Sequence, residues 1–143
     1  WYEPVTTTGW KPADRVSYNI PTMAPAPRVE DTSHGVLDIA MVMAARRAGV
    51  VFDDADVDRF ANTLLNNVIR PDLSGVRRAV DGTGEAPDAY HRTLAGWLEL
   101  ADGRPHVFHA VRKVYENRAV EDFRWLAALL KWQKKLEGVR GER

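Results

Sequence analysis

The chain contains no cysteine, which excludes a disulfide framework and thiolate metal sites. The compartment stays open, because exported proteins also do without cysteine. There is no surplus of either charge: Lys plus Arg number 20, and so do Asp plus Glu. General nucleic-acid binding shows a basic excess, so this balance argues against that class while leaving room for a local basic patch. No apolar run approaches bilayer length; the longest, Val36 to Ala45, is interrupted by Asp38. Neither a nucleic-acid nor a membrane partner is therefore expected. Walker, G-x-S-x-G and Cys-His patterns are all missing. The DGTG turn at 81–84 lacks the Lys-Ser/Thr ending of a phosphate loop. The opening WYEPVTTTGW has neither an initiator Met nor a signal-peptide pattern, and the expectation is a processed product or a piece of a longer chain.

What is present suits one domain with a sizeable core: 143 residues, 45% apolar and 28% charged. Residues 1–29 hold five prolines (4, 12, 21, 25 and 27) and read as an irregular, aromatic arm. Helices then follow in an all-α domain over 30–138, with a frayed tail at 139–143. The first is expected from about His34 to Ala48, capped by Asp31, Thr32 or Ser33 and stopped by Gly49. It has almost no polar face, so it is expected to be buried on most sides. The second, about Asp54 to Ile69, is one-faced through Val57, Phe60, Ala61, Leu64, Leu65 and Val68. Residues 71–87 read as a loop with a short strand possible at Val76–Val80. A third helix is expected over Asp88 to Ala101, and a fourth from Pro105 to about Asn117. A fifth, about Val120 to Leu136, turns Phe123, Leu126, Ala127 and Leu130 inward, with Gly138 as its stop. These elements predict successive antiparallel helical hairpins.

The densest chemistry is in EDTSHGVLD, where Glu30, Asp31, His34 and Asp38 gather at the mouth of the first helix. His34 and Asp38 are i, i+4 neighbours on one face. Three readings stay open. The group is a helix cap with bystanders; or His34 is an acid/base poised by a carboxylate; or Glu30, Asp31, His34 and Asp38 hold a divalent cation. No other cofactor is expected. Tyr18 and Asn19 lie in a loop able to reach the same end, one as acid or base and the other as a carboxylate-holding amide. The HVFH pair, His106 and His109, lacks the Glu of a zincin. His91 reads as exposed, and Arg77 and Arg78 as part of a solvated loop. Trp97, Trp125 and Trp132 read as core, whereas Trp1 and Trp10 are available to stack on a sugar ring.

The WY near the start, the YN at 18–19, EDTSHGVLD and the amphipathic DDADVDRFANTLLNNVI together resemble the helical (α/α) toroid domains of bacterial polysaccharide lyases and related uronate-active enzymes. The resemblance covers roughly residues 1–100. It implies a polysaccharide substrate, an extracellular or periplasmic setting and β-elimination after loss of a uronate C5 proton. It implies that Asn19 neutralises the carboxylate, His34 abstracts the proton and Tyr18 protonates the leaving oxygen. Arg28 would bind a second carboxylate, with Glu30 and Trp10 also at the substrate. Five helices cannot close a toroid, so the implied object is its C-terminal part, partnered by an upstream half. A uronate epimerase, a toroid glycoside hydrolase using Glu30 and Asp38, and a non-catalytic helical interaction domain are the alternatives.

Overall fold

The computed structural model describes residues 29–118 and 121–141, and the chain divides into two compact units, Trp1–Glu30 and Asp31–Arg143. The expected Pro-rich arm lies outside the described residues, apart from Val29 at its end. The described structure is all-α, with 65% helix and no strand among the described residues; isolated bridges join Asp31 to Ala79, Ile69 to Val76 and Arg77 to Glu85. No helix there is long and apolar enough to cross a membrane.

The first helix is started by Asp31. Its Oδ1 accepts the Ser33 N–H at 2.8 Å and the His34 N–H at 3.1 Å, and its carbonyl accepts the Gly35 N–H at 2.9 Å. Two orphan amides of the first turn are thereby satisfied by one side chain. The regular helix, α1, spans Gly35–Arg47. It ends as the glycine predicts: Gly49 has φ +69°, its N–H bonds to the Arg46 carbonyl, and the Val50 N–H bonds back to Ala45. This is the Schellman arrangement. The all-round burial expected of α1 is not found. Ile39, Val42 and Met43 are buried, but Leu37 and Met41 are 67% and 54% exposed. Among the described residues, neighbours cover α1 along the Ile39, Val42 and Met43 stripe.

Helix α2, Asp54–Thr63, opens with a reciprocal capping box between Asp53 and Asp56. It continues into a π turn, Leu64–Val68, closed by the Ile69 N–H on the Leu64 carbonyl. Val57, Ala61, Leu64 and Val68 are buried, as the periodicity requires. Instead of a strand over Val76–Val80, the following loop makes single bridges, Ile69 with Val76, Arg77 with Glu85 and Ala79 with Asp31. Thr32 pins it: its N–H bonds to the Arg78 carbonyl and its hydroxyl to the Arg77 carbonyl, each at 2.7 Å.

The single third helix expected over 88–101 is broken into three turns, α3 (Asp88–His91), α4 (Leu94–Trp97) and a 3₁₀ turn (Leu98–Ala101). Thr93 explains the break. Its hydroxyl takes the Tyr90 carbonyl at 2.6 Å, and the Thr93, Ala95 and Gly96 amides all bond three residues back rather than four. Helix α5, Pro105–Arg118, buries Val107, Phe108, Val111 and Val114.

Helix α6 spans Phe123–Gly141, so Gly138 does not stop it. Asp122 caps it through the Arg124 and Trp125 amides. Its buried stripe also differs from expectation. Trp125, Leu129 and Trp132 face inward, while Phe123, Leu126 and Leu130 are exposed. The two stripes compete, and size decides. Burying an indole is worth about 4–6 kcal/mol by area, against about 1.5–3 kcal/mol for a Leu or Phe.

The segment 88–101 is the hub. Leu94, Trp97, Leu98, Leu100 and Ala101 are fully buried, and α1, α2, α5 and α6 all pack on it. Ser33, Thr93 and Phe123 share one cavity, whereas Arg47 and Lys131 both meet Glu99, at 2.5 and 3.3 Å. The runs 33–47, 92–99 and 123–131 therefore lie side by side and share one direction. Glycine permits the close approach: a Cβ on Gly96 would sit 2.4 Å from Val36 Cγ1.

Candidate functional site

The starting end of these three runs carries the candidate chemistry. Asp31 is fixed twice over. Its Oδ1 caps the first turn and accepts the Ser33 hydroxyl at 2.5 Å, and its Oδ2 meets His34 Nδ1 at 2.5 Å. The Asp31 side chain is 19% exposed and that of His34 is 66% exposed. Burial pushes the Asp31 carboxyl up, but the Ser33 and His34 hydrogen bonds outweigh it and hold it below the usual value. An ionised Asp31 selects the tautomer with the proton on Nδ1, so Nε2 becomes the basic nitrogen. The cap and the acid/base readings of this stretch are thus not exclusive, because one carboxylate does both.

The remaining predicted residues distribute as follows. Tyr18, Asn19, Arg28 and Trp10 lie outside the described residues. Glu30 is buried and closes the first unit. The unit boundary falls at the peptide bond between Glu30 and Asp31, so the second unit by itself holds the Asp31–His34 pair. Asp38 is half-buried one turn further along α1 and does not join Asp31 and His34 in a three-ligand cluster. His106 and His109 are exposed on α5 and form no metal-ligating cluster with other described residues.

His91 was expected at the surface and is 5% exposed. Its Nδ1 accepts the Val76 N–H at 3.1 Å, and a Cβ on Gly75 would fall 2.4 Å from its ring. Burial first, then the nearby Arg118, push its pKa down, with Asp88 opposing. It is a neutral fastener of the 71–87 loop. Its place in the first turn of the helix suggested exposure, but the Val76 and Gly75 backbone of the preceding loop covers it.

Sequence reasoning also missed a cavity of about 660 Å³ beside the dyad, lined by Ser33, Arg92, Thr93, Asp122, Phe123 and Arg124 among others. These residues come from three separated segments, and no single motif announces them. A second cleft, about 480 Å³, opens between α5 and α6 over Phe108, Trp132 and Leu136 and shares no lining residue with the first.

Comparison of the chain with protein-family models, with curated proteins and with solved structures finds no match.

Proposed function

We propose that this chain acts on uronic-acid-containing polysaccharides, taking the C5 proton on His34. One observation supports this reading above the others: the 2.5 Å contact between His34 Nδ1 and an Asp31 that is itself locked by Ser33 and by the helix start. A base must be oriented and hold its proton-accepting nitrogen toward the substrate, and a fixed carboxylate on the opposite ring nitrogen does both. Abstraction breaks the C5–H bond and leaves a carbanion conjugated with the uronate carboxyl. In elimination its electron pair forms the C4–C5 double bond as the C4–O bond breaks, and the leaving oxygen takes a proton. Asn19 is assigned to carboxylate neutralisation, Tyr18 to protonation of the leaving oxygen, and Arg28, Glu30 and Trp10 to substrate binding. An epimerase uses the same first step and returns the proton to the other face.

The proposed architecture is part of an (α/α) toroid built from antiparallel hairpins, working outside the cytoplasm. The exposed apolar residues Leu37 and Met41 on α1 and Leu126 and Leu130 on α6 support it, being of the kind that further helices of a ring cover. The same exposed residues favour a second reading, a helical interaction domain.

Proton exchange tests the choice. In D₂O with a panel of uronate polysaccharides, the C5 signal is expected to be lost, and His34→Ala is expected to abolish the loss. A new double bond marks a lyase; exchange without one marks an epimerase. Turnover unchanged in His34→Ala would overturn the assignment.

A further inference from the structure

We propose that the cavity at the start of α1 is a subsite for an anionic sugar, with Phe123 as its stacking face and Arg124 as its cation. The inference deepens the uronate reading above and rests on it.

Three observations carry the assignment. First, Phe123 is 86% exposed although it is a large aromatic at the rim of a cavity of about 660 Å³. An aromatic left in water beside a concave surface is suited to the C–H face of a pyranose, which stacks on it while its hydroxyls stay hydrated or bonded. Second, the polar groups of the lining divide into committed and available ones. Asp122 is spent on the Arg124 and Trp125 amides and on Arg92, 3.3 Å away. Arg124 lies in no ion pair among the described residues, so its guanidinium is the group able to take a carboxylate in the bidentate manner. Thr93 donates its hydroxyl proton to Tyr90 and keeps acceptor lone pairs for a sugar hydroxyl, and the Glu121 carboxylate at the rim is a further acceptor.

Third, the cavity wall is wired to the dyad. Ser33 lines the cavity, and its hydroxyl bonds at 2.5 Å to the same Asp31 that holds His34. A sugar seated on Phe123 and Arg124 lies against the residue preceding His34, so the neighbouring unit of the same chain is directed to the imidazole. The site thus orients an acidic glycan along the ends of three segments instead of holding a single sugar.

The test is equilibrium binding of oligogalacturonate and oligoalginate, with a neutral xylo-oligosaccharide as control, followed by NMR shift titration and paralleled by C5 proton exchange. Phe123→Ala and Arg124→Gln are surface changes and are expected to leave the thermal transition in place. Each is expected to weaken oligouronate binding about tenfold, and Arg124→Gln to erase the preference over the neutral control. His34→Asn is expected to bind as the parent does and to lose exchange. Unchanged affinity in both Phe123→Ala and Arg124→Gln overturns the subsite, as does equal affinity of the parent for neutral and acidic sugars or no binding by the parent. Binding that depends on Phe123 and Arg124 without any proton exchange supports the subsite and removes the catalytic reading instead.

Discussion

The indole N–H of Trp97 donates to the main-chain carbonyl of Thr32 at 3.1 Å, joining the buried hub to the turn that carries Asp31 and His34. The same ring lies against Gly35, where a Cβ would meet Cζ2 at 2.9 Å. The dyad is therefore set by a core residue 65 positions away. Trp97→Phe removes the donor, leaves a buried carbonyl with one partner fewer and opens a void. The expected loss is about 2–4 kcal/mol, read from the urea midpoint. A loss under about 0.5 kcal/mol would show that the indole is dispensable.

Asp31 has two roles that substitution separates. Asp31→Asn keeps an acceptor for the Ser33 and His34 amides but loses the charge facing the imidazole. Stability is expected to fall by no more than about 0.5 kcal/mol, while C5 proton exchange falls steeply. Asp31→Ala removes the cap as well and is expected to cost about 1 kcal/mol. The charged form is the one favoured by folding, so this contribution is present above the ordinary value of 3.8 and is lost as pH falls through the lower folded-state value. Equal exchange rates in Asp31→Asn and the parent would remove the carboxylate from the mechanism.

His91 predicts a pH dependence of the opposite origin. Its folded-state pKa is depressed from 6.5, by burial and then by Arg118, with Arg70 adding and Asp88 opposing. As pH falls below about 6.5 the unfolded chain takes up a proton before the folded one does. The contribution is full above that value and declines as pH drops toward the folded-state pKa. His91→Asn leaves an acceptor for the Val76 amide and nothing that titrates there. Urea melts across pH 5 to 8 are expected to lose this slope in the variant; an unaltered slope would place its origin elsewhere.

Val51 adopts φ +64° and is 85% exposed, with the Phe52 N–H bonded back to the Val50 carbonyl at 2.7 Å. A β-branched side chain resists that conformation, and the tight turn gives it no packing in return. Val51→Gly is expected to stabilise the fold by about 1 kcal/mol, seen as a raised thermal midpoint. A lowered midpoint would mean that the valine makes a compensating contact.

Much of the helical plan is legible in the residues. Asp53 with Asp56, Gly49 and Pro105 act within a few positions of themselves, and local hydrogen bonding decides what they do. The one-faced α2 is legible for the same reason, since 57, 61, 64 and 68 leave only one way to face a core. The His34–Asp31 contact is also local, spanning one turn. By contrast, the inward face of α6 and the position of His91 were misjudged, because each depends on what a distant segment offers.

By itself, then, the sequence determined the all-α class, the start and end of α1, the one-faced α2 and a carboxylate within reach of His34. These follow from backbone capping, glycine's tolerance of positive φ and the 3.6-residue period. Tertiary structure alone decided that Phe123, Leu126 and Leu130 stay outside while Trp125 and Trp132, legible as core, take the inward face of α6. It also decided that Gly96 packs against Val36, and that Ser33, Arg92 and Phe123 meet around one cavity. Such outcomes turn on volume and area shared between segments dozens of residues apart, which no local pattern encodes.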